Sequence, residues 1–493
     1  MTGIFIQSAT VENYKCFGKQ VFDFSLPDGK TVGSGLNVLI GENGTGKTAL
    51  LEALNYANQS AYATENRLQI HDFFDHEKPI QVSIKTNDYT CKMDAPYFGC
   101  TFDCDGIEFE AKSRDRKSPG RLLSSPFSVH TYFRTKTNTY RKKNGDDSGE
   151  EIPALHKIFS NSSIVGSEIN VFYFDKNRTR HLTTGNYSTT FERICDDLNW
   201  KFLRKLGEAN KTELLDNVSG QFFSNVLAIA QKGTGKKLVD EMASFFGQPH
   251  FNNLRIDLID LLHPFTASFF AVRDANELKQ IRPKDLGSGV EIVMTLLLLR
   301  TLASEEGGGI VYLLDEPELH LHPKAQQKLV ELLLAESKSK QIIMSTHSPY
   351  IIKGCMPVTT GKLIFRRESD GQINVRDAHT KAWGVLPWSP SWGEINYVAY
   401  DLPSVEYHNE LYGYLQEKHQ LAKEADVEAF LASKGVPLSK KWSRLKGGTQ
   451  QPPSDVTACT YVRNSIHHPE ASANPRFSDG ELRQGIDTLR GVL

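Results

Sequence analysis

The chain has 493 residues, more than one ordinary core of about 100–200 residues accommodates, so two or three structural units are expected. Hydrophobic residues at 39% and charged residues at 24% fit a globular protein and exclude collagen-like, mucin-like and wholly disordered classes. With 57 Lys and Arg against 59 Asp and Glu, global charge gives no argument for nucleic-acid binding, and any such surface must be local.

No apolar run approaches the roughly 18–20 residues that cross a bilayer, so no membrane partner is expected. The opening MTGIFIQSATVENYK lacks the charged start, apolar stretch and small-residue cleavage site of a signal peptide, and the expected location is cytoplasmic. Seven scattered cysteines make no disulfide framework. Cys100 and Cys104 form a C-x3-C, but no second ligand pair follows at zinc spacing, and reduced, packed thiols are the simpler reading.

In chain order, residues 1–60 read as strand, strand, then strand–loop–helix. Gln81–Lys85 and Thr101–Glu110 alternate like strands. Lys112–Lys143 carries ten Lys or Arg and a single acidic residue, Asp115, and reads as a solvated loop with a second possibility as a nucleic-acid surface. Phe202, Leu206, Leu214 and Leu215 give 190–245 a helical pattern. From Gly287 to Ile352 the order is helix, strand, helix, strand, which is α/β architecture. A turn-rich stretch with WGVLPWSPSWG precedes a helical tail beginning near Glu394. There is no internal repeat and no sustained heptad seam, so long coiled-coil arms are not expected.

The strongest motif is GENGTGKT, Gly41–Thr48, which fits G-x-x-x-x-G-K-[ST] in full. An apolar strand (Leu36, Val38, Leu39, Ile40) precedes it and ALLEAL opens a helix after it. Gly41, Gly44 and Gly46 let the backbone fold tightly, so that amides of the loop, Asn43 and Thr45 among its residues, point at phosphate oxygens. Lys47 reaches the β- and γ-phosphates and the Thr48 hydroxyl ligates Mg²⁺. ATP and Mg²⁺ are thus the expected cofactors. KGTGKK, Lys232–Lys237, imitates the motif, but Ala230 stands at its first glycine and Lys237 at its hydroxyl position.

IVYLLDEPE, Ile310–Glu318, is an apolar strand ending in Asp315, placed to hold Mg²⁺, and Glu316, placed to polarise the attacking water. QIIMSTHSPYII is another strand with His347 beyond its end, where ligands of open α/β sheets bind. Alone each is an ordinary core strand; their order and spacing give them weight.

Together GENGTGKT, LGSGVEIV, YLLDEPELHLHP and STHSP resemble the ABC-type ATPases of the SMC, RecF and overcoming-lysogenization-defect (OLD) group over about residues 1–60 and 280–360. The opening VENYKCFG resembles their start, where residues near Phe17 border the nucleotide base. The resemblance implies an α/β, ABC-type P-loop ATPase domain over 1–365. Its core is split between 1–110 and 280–365 by a mixed β/helical insertion of about 111–279, with a linker at 366–393 and a C-terminal helical domain at 394–493. It makes Glu316 the catalytic base, His347 the switch histidine and Leu319–Pro323 the D-loop region. Ser288 and Gly289 belong to the signature, although Leu286-Gly287-Ser288-Gly289 departs from LSGG by placing Gly before Ser; Ser288 also fits as the cap of the helix EIVMTLLLLRTL. Gln69 and Asp72 are Q-loop candidates. In this family one subunit's signature closes another's phosphate site, which implies a homo-oligomer with ATP between subunits.

No D-x-D follows Ser348, against a built-in Toprim nuclease of the OLD kind. Arg463 and His468 stand at R-x4-H, resembling HEPN ribonucleases; His467 lies one place short, and an Arg–His cluster serving subunit contacts is the alternative. The whole combination resembles ATPase subunits of bacterial anti-phage systems, the PtuA type of Septu and retrons and the AriA type of PARIS. That implies an ATP-gated scaffold with a separate effector nuclease and a phage or nucleic-acid trigger. A RecF-like DNA-repair ATPase and an ATPase-gated ribonuclease are the alternatives.

Overall fold

The computed structural model describes residues 3–58, 68–93, 100–113, 127–135, 170–175, 254–257, 269–273, 280–281, a few positions between 237 and 297, and 309–493 apart from 357, 359, 369 and 379–383. Signature residues Ser288 and Gly289, the imitation phosphate loop up to Lys236 and most of 190–245 lie outside the described residues. The chain divides into two units, Met1–Leu39 with Gly46–Gly361, and Ile40–Thr45 with Lys362–Leu493.

In the first unit, β1 (Ile6–Tyr14) and β2 (Phe17–Asp23) form a hairpin whose two-residue connection leaves Tyr14 opposite Phe17. Strands β4 (Ile80–Met93), β5 (Cys100–Ser113) and β6 (Phe127–Thr135) extend it into an antiparallel sheet of order β2-β1-β4-β5-β6. Ile80, Val82 and Ile84 are buried while Gln81 and Lys85 are exposed, the alternation of a sheet with one covered face.

The other sheet is the one that matters for chemistry. Strand β3 (Leu36–Gly41) enters the phosphate loop, and in this unit the order is β3-β12-β11-β7, with β7 at Asn170–Phe174, β11 at Ile310–Asp315 and β12 at Gln341–Thr346. β11 runs parallel to both β7 and β12. All six residues of β3, β11 and β12 are buried, as strands covered on both faces require. Helix α1 (Lys47–Asn58) lies against β1, β4 and β5 and against β7, β11 and β12, so the helix leaving the phosphate loop is packed between both sheets. Its Leu50, Leu51 and Leu54 are fully buried. Helices α2 (Pro323–Glu336) and α3 (Pro349–Cys355) follow β11 and β12. A small antiparallel sheet joins β8 (Leu254–Asp257), β9 (Phe269–Arg273) and β10 (Gln280–Ile281).

Two expectations are corrected. The basic stretch Lys112–Lys143 is not one loop, because β6 crosses it and pairs with β5 over Ser113↔Phe127 to Cys104↔Thr135. Its aromatic and β-branched residues suit a sheet, and the basic residues that flank them masked that pattern. The expected insertion also returns a strand to the core, since β7 pairs with β11 from Asn170 to Phe174. Split sequence continuity, rather than weak strand character, hid it.

The second unit holds the antiparallel pair β13 (Gly361–Arg367) and β14 (Ile373–Asp377), and then helices α4 (Trp392–Tyr400), α5 (Val405–Lys418), α6 (Glu424–Ser433), α7 (Ala458–His467) and α8 (Asp479–Val492). Tyr407, Leu411, Leu415, Val427, Leu431, Val462, Ile486 and Leu489 make its core. The stretch EINYVAYDLPSVEYHNELYGYLQEKH is two helices: Asp401 ends α4 in the left-handed region (φ 52°), Pro403 follows, and Ser404 caps α5 by accepting from the Tyr407 amide. The helical tail also contains β15 (Lys440–Trp442) paired with β18 (Ser454–Val456) and β16 (Leu445–Lys446) paired with β17 (Thr449–Gln450). Gly447 and Gly448, at φ 56° and 78°, supply the turn that this inner hairpin demands.

Candidate nucleotide site

The phosphate loop leaves β3 at Gly41 and enters α1 at Lys47. Its glycines are required by space and by backbone. A β-carbon at position 41 would stand 2.3 Å from the Phe365 carbonyl oxygen. At position 46, where φ is +95°, it would stand 2.6 Å from both Cys16 Sγ and Phe17 Cζ. Gly44 has open space but φ +74°, so conformation alone selects glycine there. The Thr45 hydroxyl donates to the Glu42 carbonyl (2.8 Å), closing the loop on itself. Arg367 donates to the Gly44 carbonyl (2.7 Å), a contact on the loop that no motif announced. Phe17 is buried in the hairpin turn that leans on Gly46.

In the first unit, strand ends bring the acidic residues together. The Thr48 hydroxyl lies 3.0 and 3.1 Å from the two Asp315 oxygens. Ser345, opposite Asp315 in the parallel register, donates to Asp315 Oδ1 (2.6 Å) and accepts from the Glu316 amide (3.0 Å). Lys47 and Asp315 are 5% and 2% exposed, so both charges are held out of bulk water where their interactions are strong. Glu316 sits in the left-handed region (φ 47°), an uncommon conformation for a residue with a side chain. Its carboxylate Oε1 is 3.8 Å from His347 Nε2, and both side chains keep partial solvent access. Among the residues singled out in the sequence, Lys47 and Thr48 at the start of α1 and Asp315, Glu316 and His347 at or just past the ends of β11 and β12 thus lie within one unit.

The Q-loop candidates differ. Asp72 is buried, accepts from the Gln69 amide (2.9 Å) and lies 3.7 Å from Lys15 Nζ, so it holds the turn Ile70–Asp72 together. Gln69 is exposed. Ser345 and Glu318 were missed by motif reading. Glu318 is buried, and its Oε1 accepts from the Thr346 hydroxyl (2.7 Å) and from the amides of His347 (2.8 Å) and Ser348 (3.1 Å). Burial pushes the Glu318 carboxyl up from its ordinary value, against those hydrogen bonds.

In the second unit, Arg463 lies within α7 and donates to Asn464 (2.9 Å), while His468 is the C-cap and pairs with Glu470 (3.1 Å). His467 and His468 are exposed and Arg463 is half-buried. Partial burial, then the charges of Arg463 and His468, hold the His467 pKa down.

Residues 8–239 match the AAA domain family and residues 191–352 match the AAA ATPase domain family. The OLD nuclease of Thermus scotoductus is 22% identical over 362 residues, 69% of this chain and 58% of that protein. The retron Ec83 probable ATPase of Escherichia coli is 24% identical over 385 residues, 69% of this chain and 68% of that one. The chain therefore spans little more than half the length of the OLD nuclease and about two thirds of the retron protein. Among solved structures, an Smc head domain from Pyrococcus furiosus, bound to the C-terminal domain of ScpA, aligns over 76% of this chain and 96% of its own (13% identity, TM-score 0.45). The recombination mediator RecF aligns over 76% of this chain and 98% of its own (13% identity, TM-score 0.40). No helix among the described residues is long and apolar enough to cross a membrane.

Proposed function

We propose that this chain, an ATPase with domains of the AAA type, binds ATP with Mg²⁺, hydrolyses it slowly, and serves as the ATP-gated scaffold of an anti-phage defence assembly. The observation that carries the hydrolytic part is the strand-end cluster: Thr48 on Asp315 at 3.0 Å, and His347 facing Glu316 at 3.8 Å. Thr48 and Asp315 are hard oxygen donors and fit Mg²⁺, which when bound neutralises charge on the β- and γ-phosphates. Lys47 supplies a further fixed positive charge for the same oxygens. Glu316 accepts the proton of the attacking water, and the Ser345 hydroxyl fixes the Glu316 backbone for that task. His347 hydrogen-bonds a γ-phosphate oxygen in this reading and differs in its contacts between the nucleotide states.

Likeness to the retron Ec83 probable ATPase supports the defence role, with a separate effector nuclease held or released as ATP closes and opens a homo-oligomer. The proposed organisation remains an ATPase domain at 1–365 with a tail at 394–493. A second reading rests on Arg463 within α7 and His468 at its C-cap, standing at R-x4-H: the tail itself cleaves RNA, and the ATPase gates it.

Phosphate release from the purified chain tests the first part. Glu316→Gln should bind nucleotide yet hydrolyse at least about a hundredfold more slowly; an unchanged rate overturns the role of Glu316. Incubation with ATP, Mg²⁺ and total RNA separates the effectors. Cleavage lost in both Arg463→Ala and His468→Ala makes the tail the nuclease, and no cleavage leaves the nuclease to a separate partner.

A further inference from the structure

We propose that Glu318 is a positioning residue for hydrolysis, clamping the strand corner that carries His347 so that the imidazole faces Glu316. The inference rests on the reading of Glu316 and His347 as the hydrolytic pair.

The clamp is unusual in how its bonds are distributed. A buried carboxylate needs strong compensation for lost hydration, normally shared between its two oxygens. Here Oε1 takes all three donors, from Thr346, His347 and Ser348, while Oε2 is buried with no hydrogen-bond partner among the described residues. The donors are three consecutive residues centred on His347. They lie where β12 has ended at Thr346 and α3 has not begun, and the Ser348 amide is shared between Glu318 Oε1 (3.1 Å) and the Thr346 hydroxyl oxygen (3.0 Å). Glu318 gathers the donors of that corner on one oxygen.

The same turn that carries Glu318 carries Glu316. The Leu319 amide bonds the Glu316 carbonyl (3.1 Å) and the Leu321 amide bonds the Glu318 carbonyl (2.9 Å), so the segment after β11 is a tight, internally bonded corner. Two carboxylates two residues apart therefore address one histidine from opposite ends. Glu316 meets the ring, and Glu318 holds the backbone. Ser345 adds a parallel link, joining the Glu316 amide to β12. On the far side, Ser348 caps α3 through the amides of Tyr350 and Ile351, which continues the linkage into the helix. The ring-to-carboxylate distance is thereby set by two strand corners tied together and not by the His347 rotamer alone.

The test is a double-mutant cycle on the full chain, reading kcat and KM for ATP by phosphate release, with nucleotide affinity and melting temperature as checks on folding. Glu318→Ala should lower kcat about ten- to a hundredfold with KM little changed, because misplacement penalises the reacting geometry and not binding. Glu318→Gln should keep most of kcat, since its amide oxygen accepts the same three donors. Glu318→Ala combined with His347→Ala should be no slower than His347→Ala alone. Multiplied losses in the double variant, or a Gln variant as slow as the Ala variant, overturn the positioning role. Wild-type rates in both Glu316→Gln and His347→Ala would instead overturn the hydrolytic reading beneath it, an outcome independent of the cycle.

Discussion

A β-carbon at position 46 would drive into Cys16 and Phe17 at 2.6 Å, and the backbone there is left-handed as well. Gly46→Ala therefore carries two costs, steric and conformational, and should destabilise the chain by about 1–3 kcal/mol while abolishing nucleotide binding; denaturant melts and nucleotide titration check both. His408 shows a different constraint. It is fully buried beside Gly485, and burial, then the charge of His467, lowers its pKa from 6.5 to about 4. Below pH 6.5 the unfolded chain binds a proton that the folded imidazole refuses until about pH 4. Stability from this site is intact above pH 6.5 and falls as pH drops through that window, by about 3 kcal/mol in all. Denaturant midpoints measured from pH 7 to 4 should decline less steeply in His408→Leu than in the parent chain. At this scale the sequence was legible wherever chemistry depends on local spacing: Gly41–Thr48, Asp315 and Glu316 are contiguous patterns. Glu318 and Ser345 were not, because their partners lie 28 to 30 residues away across a parallel strand pair that only the fold brings together.

Helix ends decide the next scale. Ser478 accepts from the Glu481 amide and the Glu481 carboxylate returns to the Ser478 amide (2.7 Å), a reciprocal cap at the start of α8. Ser478→Ala should cost about 1 kcal/mol, seen as a lowered melting temperature with ATP hydrolysis unchanged; a loss of activity at unchanged stability would contradict the structural role. Glu428 makes a longer-range cap, with one oxygen on the Thr457 amide and the other on its hydroxyl, both at 2.8 Å. Elements of the tail were legible in kind but not in number. Pro403 and the caps Ser391 and Ser404 were written in the sequence, yet continuous helical periodicity masked the break at Asp401. The strands of the outer sheet were recognised over Gln81–Lys85 and Thr101–Glu110, and extend to Ile80–Met93 and Cys100–Ser113 through polar residues that strand propensity disfavours but cross-strand pairing tolerates. β6 and β7 were concealed for opposite reasons, one by flanking charge and the other by distance along the chain from its partner.

At the scale of the whole molecule, the proposal is that a chain with one phosphate loop and one signature completes its site with a second copy. Two complementary variants test it where single variants cannot. Lys47→Ala removes the phosphate-binding lysine, and Ser288→Arg fills the signature position with a bulky cation; each chain alone should be inactive in hydrolysis. If the loop of one subunit works with the signature of another, mixing the two variants creates assemblies in which one site carries both defects and another carries neither. Hydrolysis should then return, to a fraction of the parent rate set by the share of mixed assemblies. Prior trapping should follow the same logic: Glu316→Gln with ATP and Mg²⁺ should shift to a larger mass by light scattering, whereas Lys47→Ala should not. If the mixture stays inactive although subunits exchange by mass measurement, each chain must close its own site, and ATP cannot act as the link between copies. Recovery would make the subunit contact itself the quantity that nucleotide controls, which is what a gated scaffold for an effector requires.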